Sequence, residues 1–260
     1  MTLLAPGYRV VSHLSRGRLL DAYEVWSEER DCVCVAKVVR PDRLGDGRAR
    51  MHLRNEGRLL QRLAHPHVVR AYELRTRPAP LLVLEALTGE TLAYLIERRA
   101  RRLPADEVAA LGLHLCSAIG YVHRRGVLHL DLKPSNVVCE WGQAKVIDFS
   151  VARRPGRARR PVGTHVYMSP EQARAGVLTE AADVWGIGGV LYEAATGKRA
   201  FSGREDGLHP QLARRAEPVR ARRRLPAALS EAIDACLSPE PEARPSTAEL
   251  AAVCEAFAAN

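Results

Sequence analysis

A polar segment near the middle of the chain combines three residue types that phosphate chemistry uses. Residues 129–136 read H-L-D-L-K-P-S-N and lie between two short apolar runs. Asp131 can accept the proton of a hydroxyl group, and Lys133 can neutralise the charge of a phosphate that is being transferred. Asn136 offers an amide oxygen, a ligand type that Mg²⁺ accepts. This spacing indicates a loop that could hold a hydroxyl, a phosphate and a metal ion together.

A further carboxylate follows twelve residues after Asn136. Asp148 comes directly after an apolar run in the sequence V-I-D-F-S, so it would stand at the end of a strand and offer oxygen ligands. Taken alone, either Asp131 or Asp148 is more typical of a turn or a helix cap. Their order along one short stretch favours a shared metal and phosphate site instead.

A lysine and a glutamate in apolar surroundings form another candidate pair. Lys37 lies in the apolar run C-V-C-V-A-K-V-V, and Glu56 lies 19 residues later on the apolar face of a predicted helix. A charge in an apolar setting is unfavourable unless it is paired, so we expect these two side chains to satisfy each other. A lysine held in this way could direct its ammonium group at phosphate oxygens. The alternative is that both are ordinary surface charges.

The elements that would position these residues change in type near residue 88. Before it, short apolar runs and turn signals predict strands, with one helix at about residues 48–63. After it, apolar residues recur at helical spacing, as at Leu111, Leu115 and Ile119, and further helices are predicted at about 183–195, 230–237 and 246–258. This order predicts an α+β fold.

The chain resembles the Hanks-type protein kinase family, and most closely its bacterial Ser/Thr branch. The resemblance runs from residue 8 to about residue 256 and rests on seven features in the family's order. They are Lys37 in the family's V-A-I-K position, Glu56 in the paired helix, H-L-D-L-K-P-S-N at 129–136, D-F-S at 148–150, G-T-H-V-Y-M-S-P-E at 163–171, Asp183 at the start of a long helix, and Arg244 in E-A-R-P. Each feature alone is weak, whereas seven in order are specific.

The resemblance implies a bilobal, protein-kinase-like α+β fold and transfer of the γ-phosphate of ATP to Ser or Thr hydroxyls of a protein substrate. Residues 1–87 would form a small, β-rich N-lobe with one main helix. Residues 88–260 would form a larger, mostly helical C-lobe with the catalytic loop 129–136 and the activation segment 148–171. The active site would lie in the cleft between the lobes.

The resemblance also implies roles for single positions. Lys37 would hold the α- and β-phosphates with Glu56 holding Lys37, while Asp131 would orient the substrate hydroxyl and Lys133 would stabilise the γ-phosphate. The implied ligands of Mg²⁺, or alternatively of Mn²⁺, are Asn136 and Asp148. The implied nucleotide-contacting residues are Leu14, Ser15, Gly17, Ala22, Val35, Lys37, Leu84, Glu85, Leu87 and Val138.

The phosphate-binding loop departs from the family's G-x-G-x-x-G-x-V pattern. Ser15, Gly17, Leu20 and Ala22 stand at its four defined positions, so only the middle glycine remains. Glycines let backbone N–H groups approach phosphates without a Cβ atom in the way. We therefore expect ATP binding to be weakened but not lost.

The regulatory residues depart as well. Leu130 replaces the arginine of the family's H-R-D, which pairs with a phosphate on the activation segment, and residues 151–162 contain no Ser, Thr or Tyr that could carry one. We therefore expect a kinase of the non-RD type, which lacks this arginine before the catalytic aspartate. Its activity should not depend on phosphorylation within 151–162. The arginines of this stretch could dock an acidic segment of a substrate. The alternative is that the stretch is disordered.

Other functions stay open from the sequence. A pseudokinase, acting as a scaffold or allosteric partner with weak ATP binding, would fit the altered loop but leaves six retained polar residues unexplained. A small-molecule phosphotransferase of related fold would not need the G-T…S-P-E segment. A nucleic-acid-binding module would rest on the formal charge of +9 alone, so we expect no nucleic-acid partner.

Composition agrees with a folded, cytoplasmic protein. Apolar residues make up 47% and charged residues 27% of the 260 residues, which excludes a disordered chain. No stretch is long and apolar enough for a membrane span, and the start lacks the features of a signal peptide. The six cysteines show no metal-type spacing, so we expect reduced thiols. The oligomeric state does not follow from the sequence.

Overall fold

The structure, a computed structural model of the chain, describes residues 3–99, 102–202 and 209–258. The chain forms two compact units. The first takes the chain up to Thr88 together with Asp148–Ser150, and the second takes Gly89–Ile147 and the chain from Val151 onward. Residues 1–2 and 259–260, at the ends of the two predicted lobes, lie outside the described residues.

An antiparallel sheet forms most of the first unit. Its strands are β1 (Leu3–Ala5), β2 (Tyr8–Arg16), β3 (Leu20–Ser27), β4 (Cys32–Val39), β5 (Ala71–Arg75) and β6 (Leu81–Glu85). They pair in the order β1-β2-β3-β4-β6-β5. The valines of β4 suit a pleated backbone, and its alternate residues Cys34 and Ala36 are fully buried in the core of this unit.

One long helix packs against this sheet. The helix α1 (Gly47–Leu60) begins after Asp46, whose side chain accepts hydrogen bonds from backbone N–H groups of the first turn. Its buried residues recur at helical spacing and are Ala49, Leu53, Glu56, Gly57 and Leu60. At Gly57 a Cβ atom would lie 2.7 Å from Leu74 Cδ1, so the glycine allows α1 to approach β5 closely. The helix ends at Leu60 rather than at the predicted residue 63.

The second unit is mainly helical. Its helices are α2 (Leu92–Arg99), α3 (Ala105–His123), α4 (Pro170–Ala173), α5 (Glu180–Thr196), α6 (Pro210–Ala213), α7 (Val219–Arg222), α8 (Ala227–Cys236) and α9 (Thr247–Glu255). Its short strands are β7 (Glu90–Thr91), β8 (Val137–Glu140), β9 (Gln143–Val146), β10 (Gly156–Arg157) and β11 (Val177–Leu178), paired as β7-β8-β9 and β10-β11. The strand-rich first unit and the helical second unit confirm the predicted α+β class.

Close helix packing in the second unit depends on glycines that face cysteine side chains. A Cβ atom on Gly112 of α3 would lie 2.5 Å from the Sγ atom of Cys254 on α9, and one on Gly188 of α5 would lie 2.5 Å from Cβ of Cys236 on α8. All six cysteines are free thiols. Burial raises the pKa of the thiols of Cys116 and Cys236, and it raises that of Cys254 to about 11.

Two local features add detail to the sequence analysis. The apolar residues 127–128, before the loop 129–136, form one isolated bridge, between Leu128 and Arg153. The helix predicted from about residue 183 begins at Glu180, and Asp183 lies in its first turn, where an acidic side chain suits the positive end of the helix dipole. Within the part of the chain that the structure describes, no helix is long and apolar enough to cross a lipid bilayer.

Candidate active site

One face of the six-stranded sheet collects several residues that the sequence assigns to the nucleotide. Ala22 lies opposite both Ser15 on β2 and Lys37 on β4. Val35, two residues before Lys37, lies opposite Leu84 on β6. Directly opposed residues, and residues two apart on one strand, point to the same side of a sheet. The β-strand register therefore places these five side chains on one face.

The other predicted nucleotide contacts lie at different places. Leu14 on β2 is 51% exposed, and Gly17 lies in the turn that follows this strand. Glu85 ends β6, and Leu87 follows two residues later. Val138 lies on β8 of the second unit, where it is buried.

Two carboxylates hold the lysine of β4. The Nζ atom of Lys37 is 2.7 Å from Oε1 of Glu56 and 3.2 Å from Oδ1 of Asp148. Burial alone would lower the pKa of Lys37, but these two charges outweigh it and hold the pKa above its ordinary value. Burial raises the pKa of Glu56, and the charge of Lys37 offsets this only in part. Lys37 is thus a fixed, charged ammonium group on the shared face.

The segment that carries Asp148 is tied to α1 at two points. Glu56 Oε1 accepts the backbone N–H of Phe149 at 3.2 Å, and Nδ1 of His52 lies 3.2 Å from the carbonyl oxygen of Ser150. A carbonyl oxygen only accepts, so His52 donates through Nδ1. Asp148 itself has a φ of 63°, a left-handed conformation that is unfavourable for a residue with a Cβ atom. The contact made by His52 has no signal in the sequence.

The predicted catalytic loop of the second unit forms its own hydrogen-bonded group. Lys133 Nζ donates to Asp131 Oδ2 at 2.7 Å and to Thr164 Oγ1 at 2.6 Å. Asn136 Nδ2 donates to the carbonyl oxygen of Asp131 at 2.9 Å and to Asp131 Oδ2 at 3.2 Å. The other carboxylate oxygen, Oδ1 of Asp131, is buried and accepts no hydrogen bond from the described residues. A buried carboxylate oxygen without a donor is suited to accept a hydroxyl group.

A buried aspartate from α5 shapes this loop. Asp183 accepts the backbone N–H groups of His129 and Leu130 at 2.8 and 2.7 Å, and it lies 2.8 Å from Nε2 of His123. Leu130 has a φ of 65°, and strain of this kind persists only where surrounding contacts impose it. The bonds to Asp183 impose it here, directly before Asp131. The resemblance identified Asp183, but this set of partners became clear only in the structure.

Apolar packing holds the residues that follow the D-F-S motif. Leu130 is 3% exposed and belongs to a cluster with Leu128, Ala158, Leu178 and Ala182, against which Val151, Val162 and Ala175 pack. Gln172 Nε2 donates to the carbonyl oxygens of Leu130 and Val162, both at 2.8 Å. The leucine thus connects the catalytic loop to residues 151–162 through buried apolar surface, at the position where the family has an arginine. The predicted alternative of a disordered stretch does not describe this packing.

The arginines of residues 151–162 differ from those of a second arginine-rich run, at residues 214–224. Four of them are exposed and form no ion pair within the described residues: Arg154, Arg157, Arg159 and Arg160. In the run at 214–224, by contrast, Arg215 pairs with Glu240 and Arg222 pairs with Glu217. The four exposed arginines of residues 151–162 therefore carry positive charge that no carboxylate of the described residues balances. The short strand β10, in the same stretch, pairs with β11.

A buried ion pair fixes the end of the G-T…S-P-E segment. Arg244 donates to both carboxylate oxygens of Glu171, at 2.7 and 2.9 Å, and its side chain is fully buried. It also donates to three backbone carbonyl oxygens and lies over the ring of Trp185. Such a bidentate pair combines geometric and electrostatic restraint. The resemblance also implies this pair.

Comparison with known proteins agrees with this geometry. The model of the protein kinase domain matches residues 8–254. Similar curated proteins include the Ser/Thr protein kinase PknA of Corynebacterium glutamicum, 30% identical over 77% of this chain and 45% of the relative. The probable Ser/Thr protein kinase PkwA of Thermomonospora curvata is 31% identical over 94% of this chain and 33% of the relative. PknB of Mycobacterium tuberculosis is 32% identical over 64% of this chain and 29% of the relative.

The chain thus spans less than half the length of these curated relatives. The match to the family nevertheless covers nearly all of this sequence, from the start of β2 into α9. The family uses ATP and a divalent metal ion, and its members act on proteins. The chain belongs to the protein kinase domain family, with bacterial Ser/Thr kinases among its relatives.

Proposed function

We propose that the chain is an ATP-dependent protein Ser/Thr kinase. One observation carries this proposal: each unit contains a polar group prepared for its part of phosphate transfer. In the first unit, Lys37 is a partly buried ammonium group held by Glu56 and Asp148. In the second, Asp131 has a buried carboxylate oxygen that accepts no hydrogen bond from any residue the structure describes, next to the ammonium group of Lys133.

The proposed reaction follows from these groups. Lys37 would bind the α- and β-phosphates of ATP, and Asp131 would align a Ser or Thr hydroxyl for in-line attack. The hydroxyl oxygen forms a bond to the γ-phosphorus while the bond from this atom to the β–γ bridging oxygen breaks, so ADP leaves. The hydroxyl proton passes to Asp131 Oδ1. Lys133 would offset charge on the transferring group, and its bond to Thr164 would keep it in position.

The residues present also fit a divalent metal ion. The side chain of Asn136 donates both of its described hydrogen bonds through Nδ2, which leaves its amide oxygen as a ligand, and Asp148 supplies a carboxylate. The backbone N–H of Ile147, the residue before Asp148, donates to the carbonyl oxygen of Asn136 at 2.9 Å. Oxygen donors of this kind suit Mg²⁺, and Mn²⁺ as an alternative. When bound, the ion would offset the charge of the phosphates.

We further propose that activity does not require phosphorylation within residues 151–162. Their attachment to the catalytic loop through Leu130 and Gln172 supports this, because it needs no phosphate.

Two further features of the chain bear on its protein substrates and on its affinity for ATP. The exposed arginines of the stretch favour protein substrates with acidic segments. Ser15 and Leu20 in place of glycines favour weaker ATP binding than a complete glycine pattern would give.

The second candidate is a pseudokinase, which the altered phosphate-binding loop favours.

A phosphotransfer assay separates the two functions. The chain is incubated with radiolabelled ATP, Mg²⁺ and either an acidic or a basic model protein, and phosphosites are located by mass spectrometry. We expect labelling by the wild type and none above background by Asp131→Asn. If the wild type and Asp131→Asn label the model proteins equally, the role of Asp131 is contradicted. If the wild type binds ATP but labels neither model protein, the pseudokinase is supported.

A further inference from the structure

The turn between β2 and β3 closes with few glycines. Its backbone is joined by a hydrogen bond of 2.8 Å from the N–H of Gly17 to the carbonyl oxygen of Leu20. A Cβ atom on Gly17 would lie 3.0 Å from this same oxygen, so the remaining glycine favours this close approach. Leu20 is paired with Val39 on β4. The turn is therefore a compact hairpin end with one of its N–H groups already used.

An arginine just after β4 clamps this turn. The backbone N–H of Arg40 donates to the carbonyl oxygen of Leu19 at 3.1 Å, and its Nη1 atom donates to that of Gly17 at 3.1 Å. The remaining nitrogens of this guanidinium donate to both carboxylate oxygens of Asp42, at 2.9 and 2.8 Å. A guanidinium held at both ends has little freedom. Arg40 thus fixes the turn to the adjoining strand.

Positive charge around this turn exceeds negative charge. The carboxylate of Asp42 is shared by three guanidinium groups, from Arg16 at 3.6 Å, Arg40 at 2.8 Å and Arg43 at 3.8 Å. The hydrogen bonds from Arg40 lower the pKa of Asp42, so this carboxylate stays ionised. Arg18, in the turn itself, is exposed and has no ion pair within the described residues.

Among the residues that the structure describes, one further carboxylate approaches this cluster of arginines. Asp21 is buried and lies 4.0 Å from the guanidinium of Arg16, and at the same distance from His13. Within the described part of the chain, four arginines in and beside the turn thus compare with two carboxylates. The other three arginines each have a carboxylate within ion-pair distance, whereas Arg18 has none among the described residues. It is the cation of the cluster that an anionic ligand can recruit without breaking a pair.

The turn also continues the face that carries Lys37. Leu20 is two residues from Ala22, which lies opposite Lys37, and two residues of a strand span about 7 Å. A polyphosphate that contacts Lys37 could extend along the strands toward the turn. Arginine suits such a ligand, because its planar guanidinium binds a phosphate through two parallel N–H groups.

We propose that Arg18 binds the terminal phosphates of the nucleotide and replaces the backbone contacts that the missing glycines would allow. Arg40 is a positioning residue in this proposal, because it fixes the turn that carries Arg18. The inference depends on the proposed function only in taking ATP as the ligand. It predicts that affinity rises with the number of phosphates, and that this rise depends on Arg18.

Calorimetric titration with adenosine, ADP and ATP in the presence of Mg²⁺ tests the proposal. We expect Arg18→Ala to weaken ATP binding about 10-fold, as for the loss of a hydrogen bond to a charged group, and to change adenosine binding less than about 2-fold. Arg18→Lys keeps the positive charge but lacks the two parallel N–H groups of the guanidinium, so we expect an intermediate loss of affinity for ATP. Arg9→Ala is the matched control, because Arg9 is an exposed arginine at the far end of β2, paired with Glu28.

A double-mutant cycle with Leu20→Gly adds a sharper test. If Arg18 compensates for the missing glycine, Arg18→Ala should weaken ATP binding less in the Leu20→Gly background than in the wild type. Equal losses would show that the two positions act independently and would overturn the compensation. Thermal unfolding of each variant verifies that the first unit is folded.

The outcomes also separate this inference from the proposed function. If adenosine and ATP both bind and Arg18→Ala leaves the affinity for ATP unchanged, the inference is wrong and the proposed kinase stands. If Arg9→Ala weakens ATP binding as much as Arg18→Ala does, the loss reflects the overall positive charge of the chain. The proposed contact between Arg18 and the phosphates is then wrong. If neither adenosine nor ATP binds to any variant, both proposals fail.

Discussion

Replacing Leu130 by alanine tests whether apolar packing holds the stretch 151–162 against the catalytic loop. The side chain is 3% exposed, and truncation of a buried leucine costs about 2–5 kcal/mol. Three of its neighbours, Val151, Val162 and Ala175, are only partly buried and can move toward the cavity. We therefore expect a loss of about 2–3 kcal/mol, in the lower half of this range. For a chain of this size the melting temperature should fall by roughly 5–10 °C.

The consequence for function is local. The backbone bonds of Leu130 to Asp183 do not involve the leucine side chain, so Asp131 should remain in place while residues 151–162 loosen. Hydrogen exchange followed by mass spectrometry should show faster exchange in 151–162, and kcat for a peptide substrate should fall. Leu229→Ala is the control, because Leu229 is fully buried on α8 of the same unit. It should lower stability by a similar amount without changing exchange in 151–162.

Two results would refute this reasoning. The first is a stability loss below about 1 kcal/mol for Leu130→Ala, which would mean that the cluster contributes little packing. The second is a normal stability loss with unchanged exchange in 151–162 and unchanged kcat. In that case the leucine would be an ordinary core residue, and the attachment of the stretch would depend on other contacts, such as the hydrogen bonds of Gln172.

Three further predictions concern charge. Arg244→Ala leaves the carboxylate of Glu171, whose side chain is 11% exposed, without its partner, so urea unfolding should show a loss of about 3 kcal/mol, and a loss under about 1 kcal/mol would contradict a structural role for the pair. Replacing Arg157 and Arg160 together by alanine should raise KM for an acidic peptide at low salt but not for a neutral one, and equal effects on both peptides would argue against docking. Burial and a hydrogen bond to Glu73 raise the pKa of Tyr8 to about 12. Its stabilisation should be complete below the unfolded value of about 10 and be lost as pH rises through 12, so the difference in unfolding free energy between wild type and Tyr8→Phe should shrink over this range. A constant difference would refute that account.

Much of the candidate site could be predicted because its chemistry lies in short segments. The loop 129–136 carries Asp131, Lys133 and Asn136 within a few residues, and their mutual bonds are local. The pairing of Lys37 with Glu56 could also be predicted, because an apolar setting leaves a buried charge few partners. In both cases the requirement for a partner can be recognised from residue type and immediate surroundings.

The contacts that could not be predicted join distant parts of the chain. Asp183 accepts backbone N–H groups of a loop 53 and 54 residues earlier, and Gln172 reaches the carbonyl oxygen of Leu130 across 42 residues. Backbone groups carry no sequence signal, so their partners are decided by tertiary structure alone. The clamp of Arg40 on the β2–β3 turn is similar: a lone arginine after a strand is typical of a surface residue, and only its backbone acceptors reveal the role.

The buried thiols give this chain internal reporters of local opening. Cys34 lies in the core of the first unit, whereas Cys116, Cys236 and Cys254 lie in the core of the second. Because only the thiolate reacts with alkylating reagents, a buried thiol with a raised pKa is modified only when its surroundings open. Timed alkylation and peptide mapping would therefore yield a separate opening rate for each unit from one sample, without any introduced label.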